Sequence, residues 1–425
     1  VHTPAEIANV QSMGIAGWID NQFGKAQTGY PNARYNRIQL RQTPDCASAD
    51  PGGNAYPASS PLVKCVRDHL SLNMVQRDFF TNAVSGGDQL RQRVAWALSQ
   101  ILVTSANEQD LSIAYVMARY QNILFANAFG NFETLLQQVS LSPAMGNYLD
   151  AVNNDRPDGK GRVPNENYAR EIMQLFTIGL EELKDDGTPL TDGMGNAIAT
   201  YDQDDIKEMA RVFTGWTYAN ADGSAVTKKN VPYYAAPMAN FPGTATTGHD
   251  VDAKTLVDDV ALPAGQSAVQ DLDGAVHTVF MHPNTPVFIS KQLIQKLVTG
   301  NPSPAYVQRI VNVFKNNGAG VRGDLRAVVR AILLDPEARG NGDKGDSFGT
   351  LREPVFVVTS IVRALSGVTD GSTLSDLTGA LGQRVYYSPT VFNYFQPDTT
   401  VQVQAKSINE PEFGIHDSNT AFGRA

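Results

Sequence analysis

Only two cysteines, Cys46 and Cys65, and six histidines occur in the 425 residues. The chain has no HExxH, no GxSxG, no Walker A glycine–lysine loop and no CxxC, which excludes the common signatures of zinc hydrolases, serine hydrolases, nucleotide binding and dithiol exchange. No window offers the roughly 18 or more consecutive apolar residues that a membrane helix needs. Positive charge is scarce too: 34 Lys and Arg stand against 43 Asp and Glu, a net charge of −9. That balance argues against a protein that coats nucleic acid, which usually shows a basic stripe. A soluble chain without a transmembrane segment and without a nucleic-acid partner is expected.

What is present is apolar material, 42% of the residues, enough for a large core. No fixed-period repeat and no flexible linker forces a cut, so the expectation is a single helical domain over 1–425. Cys46, within a loop over 24–61, and Cys65 bracket a segment rich in Pro, Gly, Ser and Asn. A disulfide there would contribute on the order of 3 kcal/mol; the alternative is two unpaired buried thiols. The bridge is the expectation, and with it an oxidising, periplasmic or extracellular compartment. No signal peptide precedes "VHTPAEIANV". A trimmed or mature chain would lack one, so this does not argue against export.

Helical pattern dominates. "TPAEIANVQSMGIAGWIDNQF" opens with Thr3 as N-cap, Pro4 at the first helical position and Glu6 completing a capping box, and Gly14 breaks it. "LRQRVAWALSQILVTS" places Leu90, Val94, Ala97 and Ile101 on one face. "LSIAYVMARYQNILFANAF", "NFETLLQQVSL" and "PAMGNYLDAV" follow. Helices are also expected in "TPVFISKQLIQKLVTG", "PAYVQRIVNVFKNNG", "DLRAVVRAILLDPEAR", "REPVFVVTSIVRAL" and "TLSDLTGALG". Residues 181–203 read as a hairpin-like excursion, 217–275 as a long irregular insertion, and 385–425 as an extended C-terminal segment. The fold class is mainly α, a multi-helix globular array.

The polar clusters carry what chemistry is legible. In "NENYAREIMQLFTIGL", Tyr168, Ile172, Leu175, Phe176 and Gly179 share one helical face, and Asn167, Arg170, Glu171 and Gln174 another. Asn165 is placed to cap, and Glu166–Arg170 is an i, i+4 pair. "DDIKEMARVFTGW" repeats the theme with Glu208 and Arg211 beside an apolar stripe. A Glu/Arg lattice between the two helices would be partly desolvated, and such networks seldom improve on apolar packing. A working site and a structural clamp both remain open. His249 and Asp250, in the irregular insertion, suit a metal-ligand pair or a base with its orienting carboxylate. His282 sits before a helix that Asn284 or Thr285 would cap. "NNDRPDGKG" has calcium-type oxygens but not the EF-hand spacing. Neither Glu171 nor Glu208 has a His three residues on, so the diiron bundle signature fails.

Taken with "HPNTPVFISKQLIQKLV", "NAFGNFETLLQQVSLSPAM" and "SPTVFNYFQPD", these segments resemble the bacterial family called domain of unknown function 1800. The resemblance runs in order over most of the chain. It implies an exported, mostly helical protein, often encoded beside a second secreted protein, and brings no catalytic residue with it. It singles out Asn167, Tyr168, Arg170, Glu171, Glu208, Arg211, Thr214, Gly215, Trp216, His249, Asp250 and His282. Many relatives have Glu at the position of Gln174 and His at that of Phe176, which puts metal or proton chemistry by that pair in doubt here. Both ends are expected to be trimmed relative to the family.

Two functions follow from different classes. One is a binding or assembly component acting with the second secreted protein. The other is an acid–base or metal-assisted hydrolase of an extracellular polymer or envelope component, with Glu171, Glu208, Arg170, Arg211 and His249 as catalytic candidates. Asn167, Tyr168, Trp216 and His282 are then candidates for binding. A divalent metal is the cofactor that Asp250 and His249 would suit.

Overall fold

The computed structural model describes residues 4–30, 71–340, 348–396, 399–403 and 406–415. The expected Cys46–Cys65 bridge and the Thr3–Glu6 capping box fall outside the described residues. The chain is mainly α-helical, with three two-stranded antiparallel sheets among the described residues. Its contacts divide it into two compact units, one made of residues 1–125 and 350–425, the other of residues 126–349.

In chain order the first unit begins with α1 (Pro4–Phe23), interrupted at Gly14 where φ is 69°. It continues with α2 (Asn73–Ser85), α3 (Gln89–Ile101) and α4 (Ala114–Asn127), whose last residues already belong to the second unit. The second unit follows. Asn131 caps α5 (Phe132–Ser140) by accepting the Glu133 amide, and Pro143 opens α6 (Pro143–Tyr148). α7 (Asn167–Gln174) and α8 (Gln203–Val212) pack on one another. Asp202 starts α8 with a full capping box to Asp205, and Asp204 and Asp205 sit in its first turn, where they suit the dipole.

Between α7 and α8 lies the expected excursion, held by antiparallel bridges Glu181–Ala199, Leu183–Pro189 and Thr191–Ala197. Its root is fixed by Asn284, which is fully buried. That side chain donates to the carbonyls of Ile178 and Glu181 at 2.8 and 2.7 Å and accepts the Leu183 amide at 2.8 Å. The insertion beyond is less irregular than its composition implies. β1 (Trp216–Thr217) pairs with β2 (Ala239–Asn240), and β3 (Lys254–Leu256) with β4 (Val260–Leu262). Its last residues, from Ala268, are already helical, because Ser267 and Gln270 form a capping box for α9 (Ala268–Met281).

The remaining helices of this unit are α10 (Asn284–Leu297), α11 (Pro304–Lys315), α12 (Leu325–Leu334) and α13 (Pro336–Arg339). Asp324 caps α12, as the sequence indicates, and Pro336 begins the next turn. Pro283, not Asn284, occupies the N-cap position of α10. The first unit then resumes with α14 (Pro354–Ala364), α15 (Ser372–Ala380) and a hairpin of β5 (Thr400–Val403) with β6 (Lys406–Asn409). Its core is aromatic: Phe79 packs 5.1 Å from Phe80 and 5.1 Å from Trp96, and Trp96 stacks 6.4 Å from Tyr394. Buried Glu353 is held there by Trp96 Nε1 at 3.1 Å, Gln100 Nε2 at 2.8 Å and Gln383 Nε2 at 2.5 Å.

Candidate functional site

The residues of "NENYAREIMQLFTIGL" divide between core and surface as α7 dictates. Tyr168, Ile172 and Phe176 are buried, the Tyr168 hydroxyl 2.6 Å from that of Ser140. Asn165 accepts the Asn167 amide at 2.9 Å, and Asn167 Nδ2 donates to Asp150 at 3.3 Å. Arg170 turns back to Glu166 at 3.2 Å, and the same Glu166 oxygen accepts from Gln203 Nε2 at 2.9 Å. Gln174 accepts from the Tyr201 hydroxyl at 3.3 Å.

Glu171 stands apart. It is buried, and its Oε2 has no hydrogen-bond partner. Burial pushes its carboxyl above the ordinary range, against the opposing pull of the Arg170 charge. The Glu/Arg lattice that joins the two helices in the sequence reading does not form, because each arginine is taken by a nearer acid.

The second cluster is built on α8, the loop after β2, β3 and α9. Arg211 reaches Glu208 at 2.7 Å and Asp250 at 2.8 Å, with a second contact to Asp250 at 3.3 Å. The Thr214 hydroxyl donates to the Arg211 carbonyl at 2.7 Å and accepts the Asp250 amide at 2.8 Å. Gly215 lets the chain turn here: φ is +79°, and a Cβ would lie 2.4 Å from the His249 amide nitrogen. His249 Nδ1 meets the Thr214 carbonyl at 3.1 Å, and Nε2 meets Asp271 Oδ2 at 3.0 Å. Both ring nitrogens thus face oxygens, and Nδ1 also lies 3.4 Å from the Thr214 hydroxyl.

Lys254 completes the set. Its ammonium donates to Asp271 Oδ2 at 2.6 Å and to the carbonyls of Asp250 and Asp252 at 2.6 and 2.9 Å, using all three protons. Side-chain exposures are 17% for Arg211, 2% for Asp250, 6% for His249 and 1% for both Lys254 and Asp271. Burial works against the charge on Asp271, yet hydrogen bonds and charges from His249 and Lys254 outweigh it and hold the carboxyl below its usual range. Burial likewise opposes the charge on Asp250, whose bonds from Arg211 and the Asp252 amide bring it below that range. Arg211 is held above its ordinary value by Asp250 and Glu208 despite desolvation.

The carboxylate that orients His249 is therefore Asp271, not its sequence neighbour Asp250. Asp271 and Lys254 are absent from the sequence-derived candidates. Asp271 sits in the first turn of α9, where an acid has a generic dipole reason to be. Lys254 is a lone lysine in a short strand. The other candidates lie elsewhere. Trp216 is a core residue whose indole nitrogen has no hydrogen-bond partner. His282 has a fully enclosed ring: Nδ1 accepts the Asn284 amide at 3.1 Å, leaving the proton on Nε2. That nitrogen, without a hydrogen bond, stands 3.6 Å from Asp258 and 3.7 Å from Glu182. Burial holds the ring below its usual pKa, the two acids pulling the other way and Arg322 with it.

Two cavities border these clusters. The larger, about 630 Å³, opens where α7 begins and is lined by Asp150, Asn154, Asp155, Arg162, Glu166 and Lys229, among others. Buried Asp155 anchors its wall through Lys229 at 2.7 Å and Arg162 at 3.5 Å. The smaller, about 250 Å³, has His249 in its wall. Among the described residues, no three His, Cys, Asp or Glu side chains form a group that would hold a metal ion. No described helix is long and apolar enough to cross a membrane.

Among known families, the model of the one described as "Protein of unknown function (DUF1800)" matches residues 2–405. No curated protein and no solved structure matches the chain.

Proposed function

The chain belongs to the DUF1800 family, and we propose that it is an exported binding or assembly component working with a second secreted protein, its ion cluster acting as an internal clamp. The observation that carries this reading is how far the cluster closes on itself, leaving Asp271 Oδ1 unbonded but shut away from solvent. A general base needs a lone pair within reach of a substrate proton. Both nitrogens of His249, all three protons of Lys254 and the carboxylate of Asp250 are already committed inside the protein. In support of a protein partner, the first unit exposes Ile361, Leu365 and Val368 at 55%, 78% and 96%. Three such side chains within eight residues are the kind of apolar surface that partners cover.

A hydrolase reading keeps one supporting observation, Glu171. A buried carboxyl with a raised pKa and a vacant oxygen has the character of a general acid. In that reading Glu171, with Arg170 beside it, acts on an extracellular polymer or envelope component.

The test compares thermal unfolding of Glu208→Gln and Asp250→Asn with wild type, and separately the co-elution of the chain with the secreted protein encoded beside it. The clamp predicts a lower Tm in both variants, since each leaves Arg211 short of a partner. It also predicts co-elution that Leu365→Asp with Val368→Asp abolishes. Variants that melt like wild type while losing hydrolysis of an envelope polymer would overturn the reading. Export is checked by the intact mass with and without reductant, which reads a Cys46–Cys65 crosslink directly.

A further inference from the structure

His282 stands where three parts of the second unit meet: the end of α9, the root of the excursion over 181–199, and the turn between β3 and β4. It follows α9 directly, and two residues later Asn284 opens α10. Its ring is wholly withdrawn from solvent. From the excursion, Glu182 Oε1 comes within 3.7 Å of Nε2, and from the turn Asp258 Oδ2 comes within 3.6 Å, neither forming a hydrogen bond. Arg322, from the loop before α12, donates to the carbonyls of Phe280, Met281 and His282. The charges of Asp258 and Asp259 reach in turn to Asp205 of α8.

The neutral ring is used at one nitrogen. Nδ1 accepts the Asn284 amide at 3.1 Å, so the ring's single proton is on Nε2. That bond fixes the backbone of the residue whose side chain fastens the excursion, through Ile178, Glu181 and Leu183. A second proton has one place to go, Nδ1. There it sets an N–H against the Asn284 N–H and turns an attractive contact into a repulsive one. It also makes the enclosed ring a buried charge, which is costly without hydrogen bonds to it. Burial holds the enclosed ring below its ordinary pKa; Asp258 and Glu182 offset part of this, and Arg322 adds to it. A ring released into water meets neither penalty.

We propose that His282 is an acid-sensitive latch: a proton taken from solvent at Nδ1 breaks the bond to the Asn284 amide, and the ring leaves its enclosure, freeing the root of the excursion. Release and protonation are linked, because the freed ring titrates at its ordinary 6.5 and the enclosed ring below it. The closed arrangement is therefore complete above about pH 6.5 and weakens as pH falls below that value. The inference does not depend on the clamp reading, because His282 is not a member of the ion cluster.

The experiment is amide hydrogen exchange of the whole chain at about pH 7.5 and about pH 5, on wild type, His282→Asn and Asp258→Asn. The readout is the protection factor of the Leu183 and Asn284 amides, which removes the pH dependence of the exchange chemistry itself. Wild type is expected to lose protection severalfold on acidification, and by no more than about thirtyfold, the limit set by an ordinary imidazole in the released state. His282→Asn keeps an acceptor near the place of Nδ1 and cannot titrate, so it is expected to lose none. Asp258→Asn removes an acid that favours the enclosed imidazolium, and its loss is expected to exceed that of wild type. Unchanged protection in wild type would overturn the proposal, as would an equal loss in wild type and His282→Asn. Should His282→Asn fail to fold, Asp258→Asn decides, since its side chain is 55% exposed and Asn tolerates the positive φ of 61° there. A loss no greater than in wild type refutes the latch.

Discussion

The Nε2 of His249 and the Oδ2 of Asp271 meet at 3.0 Å, both side chains almost wholly withdrawn from water. The same Asp271 oxygen receives the Lys254 ammonium, so one carboxylate oxygen serves two partners while its other oxygen has no hydrogen-bond partner. Such a point is strong only while every member is in place.

Replacing Asp271 with Asn strands Lys254 and His249 inside the protein. Breaking a buried pair in this way typically costs about 3–5 kcal/mol. Because the folded carboxyl titrates below its ordinary 3.8, its contribution is complete above that value and is lost as pH falls through the lower folded value. Thermal or urea unfolding of Asp271→Asn and wild type should therefore show a constant gap from pH 7 to pH 5, closing below about pH 4. A gap that persists unchanged at about pH 2 would contradict this account.

Glu171 behaves with the opposite sign. Its folded carboxyl is raised above the ordinary 4.5, so ionising it disfavours the folded state as pH climbs above 4.5. Glu171→Gln is expected to melt higher than wild type at about pH 7.5 and to converge with it near pH 4. A variant that melts lower at neutral pH would show that Glu171 has an ionic partner in solution.

Asn284→Ala removes three hydrogen bonds from the root of the excursion over 181–199. Each buried backbone group left unpaired costs about 1–3 kcal/mol. Limited proteolysis should then cut the excursion sooner than in wild type, with first cleavage near its tip, where Met194 is 86% exposed. Cleavage that starts elsewhere, or at the wild-type rate, would count against Asn284 as the fastener.

The helices were readable because their signals are local. Asp324 and Pro336 each mark a boundary within a few residues, whereas α9 and its Ser267–Gln270 capping box went unread because its first turns were taken into the irregular insertion over 217–275. The clusters were half readable for the same reason. Glu208 beside Arg211 and Glu166 beside Arg170 are neighbours along one helix, and those short-range pairs formed. In forming, they took the arginines from the longer-range lattice that helical faces alone suggest. Asp271, Lys254 and Asn284 act on residues that are distant in sequence or belong to other elements, and each has an ordinary local reason to be where it is. Glu353 is similar: it stands before Pro354 as if to begin a helix, yet bonds to Trp96 and Gln100 from α3.

The division of the chain has a consequence for biosynthesis. The second unit is continuous and has all its residues once position 349 has been made, whereas the first unit needs residues 350–425 to close its aromatic core. At rates of ~5–20 residues per second, the wait between positions 125 and 350 lasts on the order of ten to forty seconds. During that interval Phe79 and Trp96 have no Tyr386, and Trp96 no Tyr394, to pack against. Truncation from the carboxyl end should therefore penalise solubility out of proportion to the residues removed.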